Sequence, residues 1–358
     1  MFFPLLKLPY LPLEKCILFM CPVQVIGLSF CSKKMRGCIK FVKFKTYDAV
    51  VYNQTKFSRN LTFQIKFSCA FQTLMVAFKS PCRQGLKGFN AEIDGDTYAF
   101  RFDNERQENV CILYTSTMTD ISKGLKVMNY ILELAPTQFE ALHLDLEDIK
   151  DVQEIATYPC LRHPKTVLIA GETVDYSKLS ILFKHFLSKL ECVHIHPAIK
   201  GTVDSKFEIF KAGSLYLKRG SWANGKHYQS FDGKFIMIDN ARITTDQVIM
   251  YVRQWIKGTY MDLTTATVCS DYRFDIKAIV DQLDAKPWDP EKRARNLILR
   301  GVDVEGCEIP IIDCSDGFDI ERSDGLLATI RVVNPNIFHF HVWHERFPIL
   351  HSNMLTHR

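Results

Sequence analysis

The sequence has no run of about 18 consecutive apolar residues, the least a bilayer-crossing helix needs. Its most apolar early stretch, Cys16 to Cys31, is interrupted by Pro22 and Gln24, and Pro4, Pro9 and Pro12 break what precedes it. No basic residue comes before Lys7 and no small-residue cleavage site follows, so no export signal is expected. The 12 cysteines contain no Cys-x-x-Cys, and many, such as Cys111, Cys192 and Cys269, sit inside apolar runs where a reduced thiol behaves as a small hydrophobe. A chain this long needs no disulfide staples, which points to a reducing cytoplasmic or nuclear compartment. Also missing are a Gly-rich phosphate loop after a first strand, a Gly-x-Ser-x-Gly elbow, a His-Glu-x-x-His pair and a Walker loop. No catalytic residue, metal or cofactor is therefore assigned.

Nearly half of the 358 residues are apolar (47%), which suits a packed globular protein. The net charge of +5 is unevenly spread. Residues 1–83 hold thirteen Lys or Arg against Glu14 and Asp48, which makes that segment +11 and leaves −6 on the rest. A basic start on a slightly acidic body implies an acidic partner for the start, either protein or nucleic acid.

Three patterns follow one another. Residues 1–45 carry short helical periods set off by prolines, with Pro12 and Pro22 suited to helix starts. A basic run, Lys33 to Lys45, follows them. Residues 46–109 give no clear assignment. Residues 110–285 alternate strands (Val110–Tyr114, Leu142–Leu146, Val167–Ala170, Val193–Ile195, Leu215–Leu217, Phe235–Ile238, Met261–Thr267) with amphipathic helices at Asp120–Leu134, Tyr176–Leu190 and Thr245–Lys257. Thr244 with Gln247 makes a capping box and Gly258 a stop for the last helix. The strand interval of about 20 to 26 residues falls in the leucine-rich-repeat range of about 20 to 29. Residues 286–350 read as an antiparallel meander, with hairpin turns at Asp316-Gly317 and Asp324-Gly325 and a third turn at Asn334-Pro335-Asn336.

Specific residues then carry a resemblance. Phe3-Pro4-Leu5-Leu6-Lys7-Leu8-Pro9-Tyr10-Leu11-Pro12-Leu13-Glu14, Met20 and Leu28-Ser29-Phe30-Cys31-Ser32-Lys33-Lys34-Met35-Arg36 resemble the F-box of the large nematode F-box family. Trp288-Asp289-Pro290, Arg293, Arg295, Asp313 to Arg322, Asp324 to Ile330 and Phe340-His341-Val342-Trp343 resemble the F-box-associated domain of the same proteins. With the strand interval, which favours an irregular leucine-rich-repeat-like α/β solenoid over a doubly wound nucleotide fold, and the turns of the C-terminal antiparallel β meander, the resemblance to a small helical F-box gives an α+β fold. It implies a non-catalytic substrate-recognition subunit of a Skp–cullin–F-box ubiquitin ligase. Pro4, Leu5, Leu8, Pro9, Ile17 and Leu28 would meet a Skp-type adaptor and, through it, a cullin. The same apolar residues could instead form the core of a helical cap on the solenoid.

If Leu144, Ile195 and Leu217 point inward, their strand neighbours His143, Asp145, His194, His196, Tyr216 and Lys218 line an open face for a target protein. The pairs His194/His196 and His339/His341 share strand faces but lack a third ligand at zinc-finger spacing, with His344 near the second pair. Asp145 and Glu147 pair on one strand face without further catalytic context. Three other readings stay open. Lys40, Phe41, Lys43, Phe44, Lys45 and Tyr47 interleave cations and rings as single-strand nucleic-acid binders do, which makes a protein- or RNA-binding module without a ligase role the main alternative. Asn53-Gln54-Thr55 and Asn60-Leu61-Thr62 match glycan acceptors of a lumenal protein. An α/β enzyme would show a deep polar pocket at the strand ends.

Overall fold

The structure is a computed structural model that describes residues 5–20, 22–42, 46–54, 60–67, 72–77, 88–103, 110–115, 121–134, 139–147, 149, 151–299 and 311–348. It divides into two compact units, one of residues 1–171 with 177–188, the other of 172–176 with 189 onward.

The first unit begins with a 3-10 turn at Leu5–Lys7 and three helices, α1 (Tyr10–Leu18), α2 (Pro22–Ser29) and α3 (Lys33–Phe41). Pro9 is the N-cap of α1, and Pro12 lies in its first turn, where the missing N–H breaks no helical bond. Pro22 opens α2, and the Ser32 hydroxyl caps α3 by accepting from the Met35 N–H at 3.1 Å. Leu13 and Ile17 from α1, Val25 and Ile26 from α2, and Met35 and Ile39 from α3 are buried together with Val42.

Behind the helices come β1 (Thr46–Gln54), β2 (Asn60–Phe67), β3 (Gln72–Ala77), β4 (Gly88–Ile93), β5 (Asp96–Asp103), β6 (Val110–Thr115), α4 (Ile121–Leu134), β7 (Phe139–Asp145), α5 (Val152–Ala156), β8 (Thr166–Ala170) and α6 (Tyr176–Lys184). The sheet runs β8-β7-β1-β2-β3-β6-β5-β4. Its pairs are mixed: β8 with β7, β7 with β1, and β3 with β6 are parallel, the others antiparallel. Residues 46–109, left unassigned from sequence, thus hold five strands. The β4–β5 turn is Asp94-Gly95 with φ of +46° and +80°, the doubly positive pair an Asp-Gly hairpin needs. The helix expected over Tyr176–Leu190 stops at Lys184.

The second unit holds β9 (Thr173–Asp175), β10 (Cys192–Ile195), β11 (Ala198–Lys200), β12 (Ser214–Leu217), α7 (Gly225–Gln229), β13 (Phe235–Ala241), α8 (Thr245–Ile256), β14 (Thr265–Ser270) and α9 (Ile276–Leu283). It continues with β15 (Lys286–Pro287), β16 (Asn296–Ile298), β17 (Ile311–Asp313), β18 (Phe318–Glu321), β19 (Leu327–Val333) and β20 (Ile337–Trp343). Its sheet runs β10-β12-β13-β14-β20-β19-β18-β15. The first four strands are parallel and consecutive, and the rest are antiparallel. The Thr244/Gln247 capping box forms, and Gly258 follows α8 at φ +91°. The last parallel strand begins at Thr265 rather than Met261, because Tyr260 takes a left-handed φ of +59° and Met261 turns outward.

The meander differs from expectation at one turn. The Asp324-Gly325 and Asn334 turns take positive φ at Gly325 and Asn334, but Gly317 does not, and β17 pairs with β16 instead of β18. Gly317 is required by space: a Cβ there would lie 3.0 Å from Arg331 Cγ and 3.1 Å from the Ile330 carbonyl. Beside it sits a buried polar node. The Arg293 side chain is 0% exposed, and its Nε donates to both Asp319 oxygens at 3.0 and 2.9 Å. Arg293 Nη2 donates to the Cys314 carbonyl, and its guanidinium lies 4.7 Å from the Trp343 ring centre. Trp343 Nε1 donates to Thr329 Oγ1, which donates to Asp319, both at 2.7 Å. The buried guanidinium and carboxylate are partnered by each other and by further hydrogen bonds, so removing one of the two leaves an uncompensated charge. Asp319→Ala is expected to destabilise this unit by about 3–5 kcal/mol, read as a shift of the urea midpoint.

Candidate functional site

Two surfaces stand out, one in each unit. On the N-terminal helices, Leu13 and Ile17 lie four apart and turn inward, while Tyr10 at the start of α1, Leu11 across from Leu13 and Phe19 at the C-cap are 49%, 67% and 91% exposed. Phe41 joins them at 75%, and its carbonyl accepts from the Tyr10 hydroxyl at 3.1 Å. Four of the nine exposed large apolar side chains among the described residues therefore fall between residues 10 and 41, a concentration that marks an interaction surface.

The other side of these helices is committed within the unit. The Phe30 ring stacks on Tyr130 of α4 with centres 4.8 Å apart and planes 5° from parallel, and lies 5.8 and 5.9 Å from Phe100 and Phe89. Ser29 Oγ donates to the Ile26 carbonyl at 2.6 Å, so the Tyr130 hydroxyl, 2.9 Å away, is the donor to Ser29. Burial raises the Tyr130 pKa and keeps that proton in place. The Arg36 guanidinium sits 4.3 Å from the Tyr130 ring centre. Arg36 and Lys40 both reach Glu133, at 2.9 and 2.8 Å, and the hydrogen bond from Lys40 holds that carboxyl below its ordinary value. Lys40, from the run that suggested nucleic-acid binding, is thus used internally; residues 43–45 lie outside the described residues.

Of the expected adaptor residues, Pro4 lies outside the described residues. Leu5, Leu8 and Leu28 are half-buried and Pro9 is exposed. Ile17 is fully buried at 0%, so it is a core residue of the helices and not a surface contact. Tyr10, Leu11, Phe19 and Phe41 were missed. The Leu13/Ile17 spacing could have found Leu11, which lies across α1 from Leu13; Tyr10 falls on the same helical stripe as Leu13 and Ile17, and Phe19 is the C-cap, so neither was signalled by it.

The second surface is one face of the second unit's sheet. Val193, Ile195, Leu215, Leu217, Ile236, Ile238, Ala266, Val268, Phe338 and Phe340 are all 2% exposed or less, and Trp255 of α8 packs edge-on against Phe340 at 5.2 Å. The opposite face carries one register row, His194, Tyr216, Met237, Thr267, His339 and Arg331; Thr267 is buried and the others half-buried, and Tyr216 and Met237 pack against the buried cluster of Phe235, Leu297, Leu299, Cys314, Leu327 and Trp343. His194 stacks on Tyr216 with centres 4.4 Å apart and planes 4° from parallel, and meets His196 edge-on at 6.3 Å. Cys192 Sγ lies 3.1 Å from His194 Nε2. His196 is half-buried and Lys218 exposed.

His143 and Asp145 belong to the first unit and are buried, at 7% and 2%, so the open face expected of them is not there. Their strand β7 is flanked by β8 and β1 through parallel pairing, and parallel strands are covered on both faces. The Asp145 carboxylate accepts from the Glu147 N–H at 3.0 Å, and Glu147 lies beyond the strand end instead of beside Asp145 on one face.

His339 and His341 stack at 5.5 Å, and their Nδ1 atoms lie 3.0 and 3.3 Å from the hydroxyls of Thr267 and Thr265. Burial, reinforced by Arg331, pushes His339 down to about 4; burial, reinforced by His339, Arg331 and Arg293, pushes His341 down to about 3. Both rings are neutral at pH 7. Burial also pushes the thiols of Cys269 and Cys314 up to about 12 and 11, which makes them poor nucleophiles. Among the described residues no three His, Cys, Asp or Glu side chains converge as metal ligands, and no helix is long and apolar enough to cross a membrane.

Residues 5–47 match the family model of the F-box domain. Two uncharacterized proteins of Caenorhabditis elegans are similar along nearly the whole chain. F59B2.9 is 22% identical over 372 aligned positions, covering 97% of this chain and 80% of its own length. F59B2.8 is 20% identical over 354 positions, covering 97% and 79%. No solved structure matches. An F-box domain is in general the adaptor-binding module of a ubiquitin ligase's substrate receptor, and such receptors are generally non-catalytic.

Two outcomes follow from this geometry. Tyr130→Ala removes the Phe30 stack, the Ser29 bond and the Arg36 contact together, and should cost about 3–5 kcal/mol and speed protease cleavage between residues 10 and 41. Glu133→Gln, which removes only half-exposed ion pairs, should change stability by less than about 1 kcal/mol. Acid should also weaken the second unit. Unfolded histidine titrates near about 6.5, so as pH falls below that value the unfolded chain takes up protons that folded His339 and His341 refuse until about 4 and 3. Stability is then full above pH of about 6.5 and falls towards pH 4, by at most about 1.4 kcal/mol per pH unit for each ring. Urea titrations at stepped pH, with His339→Gln giving the shallower slope, check this.

Proposed function

With an F-box domain at residues 5–47 as the premise, we propose that this chain is the substrate-recognition subunit of a Skp–cullin–F-box-type ubiquitin ligase. The observation that carries the reading is the exposure of the apolar side chains Tyr10, Leu11, Phe19 and Phe41 on the matched helices, while Phe30 of the same segment is packed on Phe89, Phe100 and Tyr130. Leu5, Leu8, Pro9 and Leu28 extend the adaptor contact, with Pro4 as a further contributor. The adaptor brings a cullin, and no bond chemistry falls to this protein. It raises the local concentration of a target beside a charged conjugating enzyme.

The target contact is assigned to His194, His196, Tyr216 and Lys218 on the second unit's polar face. Support comes from the register that His194 and Tyr216 share and from the stacking of their rings. Consecutive parallel strands beginning at residues 192, 214, 235 and 265 support a leucine-rich-repeat-like reading of this region. The F-box-associated resemblance of residues 286–350 is supported by its quoted residues Arg293, Asp319 and Trp343, which meet in one buried node. Asp316, Gly317, Phe318 and Ile320 within it serve architecture.

A pull-down of the full chain from cytosolic extract tests the assignment. Wild type should recover a Skp-type adaptor and a cullin. Leu8→Ala/Pro9→Ala/Leu11→Ala should recover at least about tenfold less of both while melting normally, as the loss of a few surface anchors implies. His194→Ala/Tyr216→Ala should keep the adaptor and lose other prey. A wild-type chain that is folded yet recovers neither adaptor nor cullin contradicts the ligase role.

A further inference from the structure

Two sets of cations in the second unit are told apart by where they stand. Arg293, Arg295, Arg322, Arg331 and Arg346 each hold a carboxylate, namely Asp319, Asp313, Asp324, Asp316 and Glu321, at 2.5 to 2.9 Å. All five stand in the C-terminal meander region and brace it. Lys200, Lys218, Arg219, Arg242 and Arg273 are exposed and hold no carboxylate within 4.0 Å among the described residues. The Arg219 guanidinium donates instead to the Glu172 carbonyl at 2.8 Å.

These five share a location. β10, β12, β13 and β14 run in one direction, so their carboxyl ends form one edge, and the five cations come from the segments that leave those ends. Backbone bonds tie the segments into that edge: Lys218 N–H to the Ile195 carbonyl, Gly220 N–H to Asp239, Arg242 N–H to Ala223, and Asp271 N–H to Ala241, at 2.7 to 3.0 Å. Four strands at about 4.8 Å spacing span about 15 Å, the length of about five residues of extended chain. Asp175, Asp239 and Asp271 are interspersed among the cations, and Tyr272 stands beside them at 48% exposure.

We propose that this edge receives an acidic, extended segment of the target protein, about five residues long, its carboxylates opposite Lys200, Lys218, Arg219, Arg242 and Arg273. The proposal rests on the receptor reading and gives the chemistry of what is received. A peptide fits better than a nucleic acid. Asp175, Asp239 and Asp271 would oppose an unbroken run of phosphates, whereas a peptide can set single carboxylates against single cations. Tyr272 is also the one exposed ring among the described residues of the edge, too few for successive base stacking. Because the cations stay in water, they steer and select more than they hold, and the contact must weaken with salt.

The test is fluorescence anisotropy of the full chain with a labelled oligoglutamate of about eight residues, a little longer than the edge. Lys218→Glu/Arg242→Glu should weaken binding at least about tenfold, and rising salt should weaken the wild type. The control is Lys257→Glu/Lys292→Glu, which makes the same charge change at exposed, unpaired cations away from this edge, Lys257 at the C-cap of α8. It should weaken binding less than about twofold. Equal weakening by both variants would make the contact one of overall charge and overturn the proposal. So would the absence of binding, or tighter binding of a single-stranded oligonucleotide of equal charge that the edge variant abolishes. Adaptor recovery is measured on the same proteins. Peptide failure with the adaptor retained sinks this inference alone, whereas adaptor failure with peptide binding intact sinks the receptor reading.

Discussion

The stack of Phe30 on Tyr130 is what makes three short helices part of a folded body. Helices of eight or nine residues are marginal alone, and among the described residues these and Val42 bury seven apolar side chains. The stack, the Ser29–Tyr130 hydrogen bond and Arg36 over the same ring supply the missing contact from α4. It also fixes the direction in which the module faces. With one side taken by rings, Leu11, Phe19 and Phe41 have nowhere to go but outward. Whatever docks on them is therefore held in a set orientation to the first unit's sheet.

Charge in the second unit follows a division of labour. Cations with carboxylates at 2.5 to 2.9 Å brace the meander, most firmly where Arg293 and Asp319 lose all contact with water. Between that node and the strand ends, this face of the sheet is largely covered: Thr265, Thr267 and His341 are buried, Tyr216 and Met237 pack on Leu297, Leu299 and Trp343, and burial holds His339 and His341 neutral. The stacked His194 and Tyr216 rings and the exposed cations at the strand ends are what remains for recognition, and the thiols of Cys269 and Cys314 are held protonated.

Where a periodicity was strong, the fold could be read from the residues. Val193–Ile195, Leu215–Leu217 and Phe235–Ile238 are short apolar runs that were legible as strands, and the Thr244/Gln247 box announced its helix. Strand β2 was legible and missed, since Leu61-Thr62-Phe63-Gln64-Ile65-Lys66-Phe67 alternates strictly, whereas the parallel partner of β1, β7, lies nearly a hundred residues on and leaves no local signal. Asp94-Gly95 was the true doubly positive hairpin, whereas Asp316-Gly317, with the same letters, serves close packing. At the site, Ile17 was misplaced because a helical stripe signals burial as readily as docking. His143 and Asp145 were misplaced because alternation in one strand says nothing of what covers it. The free cations at the strand ends carry no motif at all, and only the pairing of the other arginines makes them visible.

Hydrogen exchange of the full chain with and without a purified Skp-type adaptor tests the central claim most directly. The account predicts new protection in Leu5–Lys7, α1 and the end of α3 around Phe41, with no change in α4 around Tyr130, whose contacts already exist in the free chain. Saturating adaptor that leaves those segments unprotected, or that protects only the second unit, would contradict it.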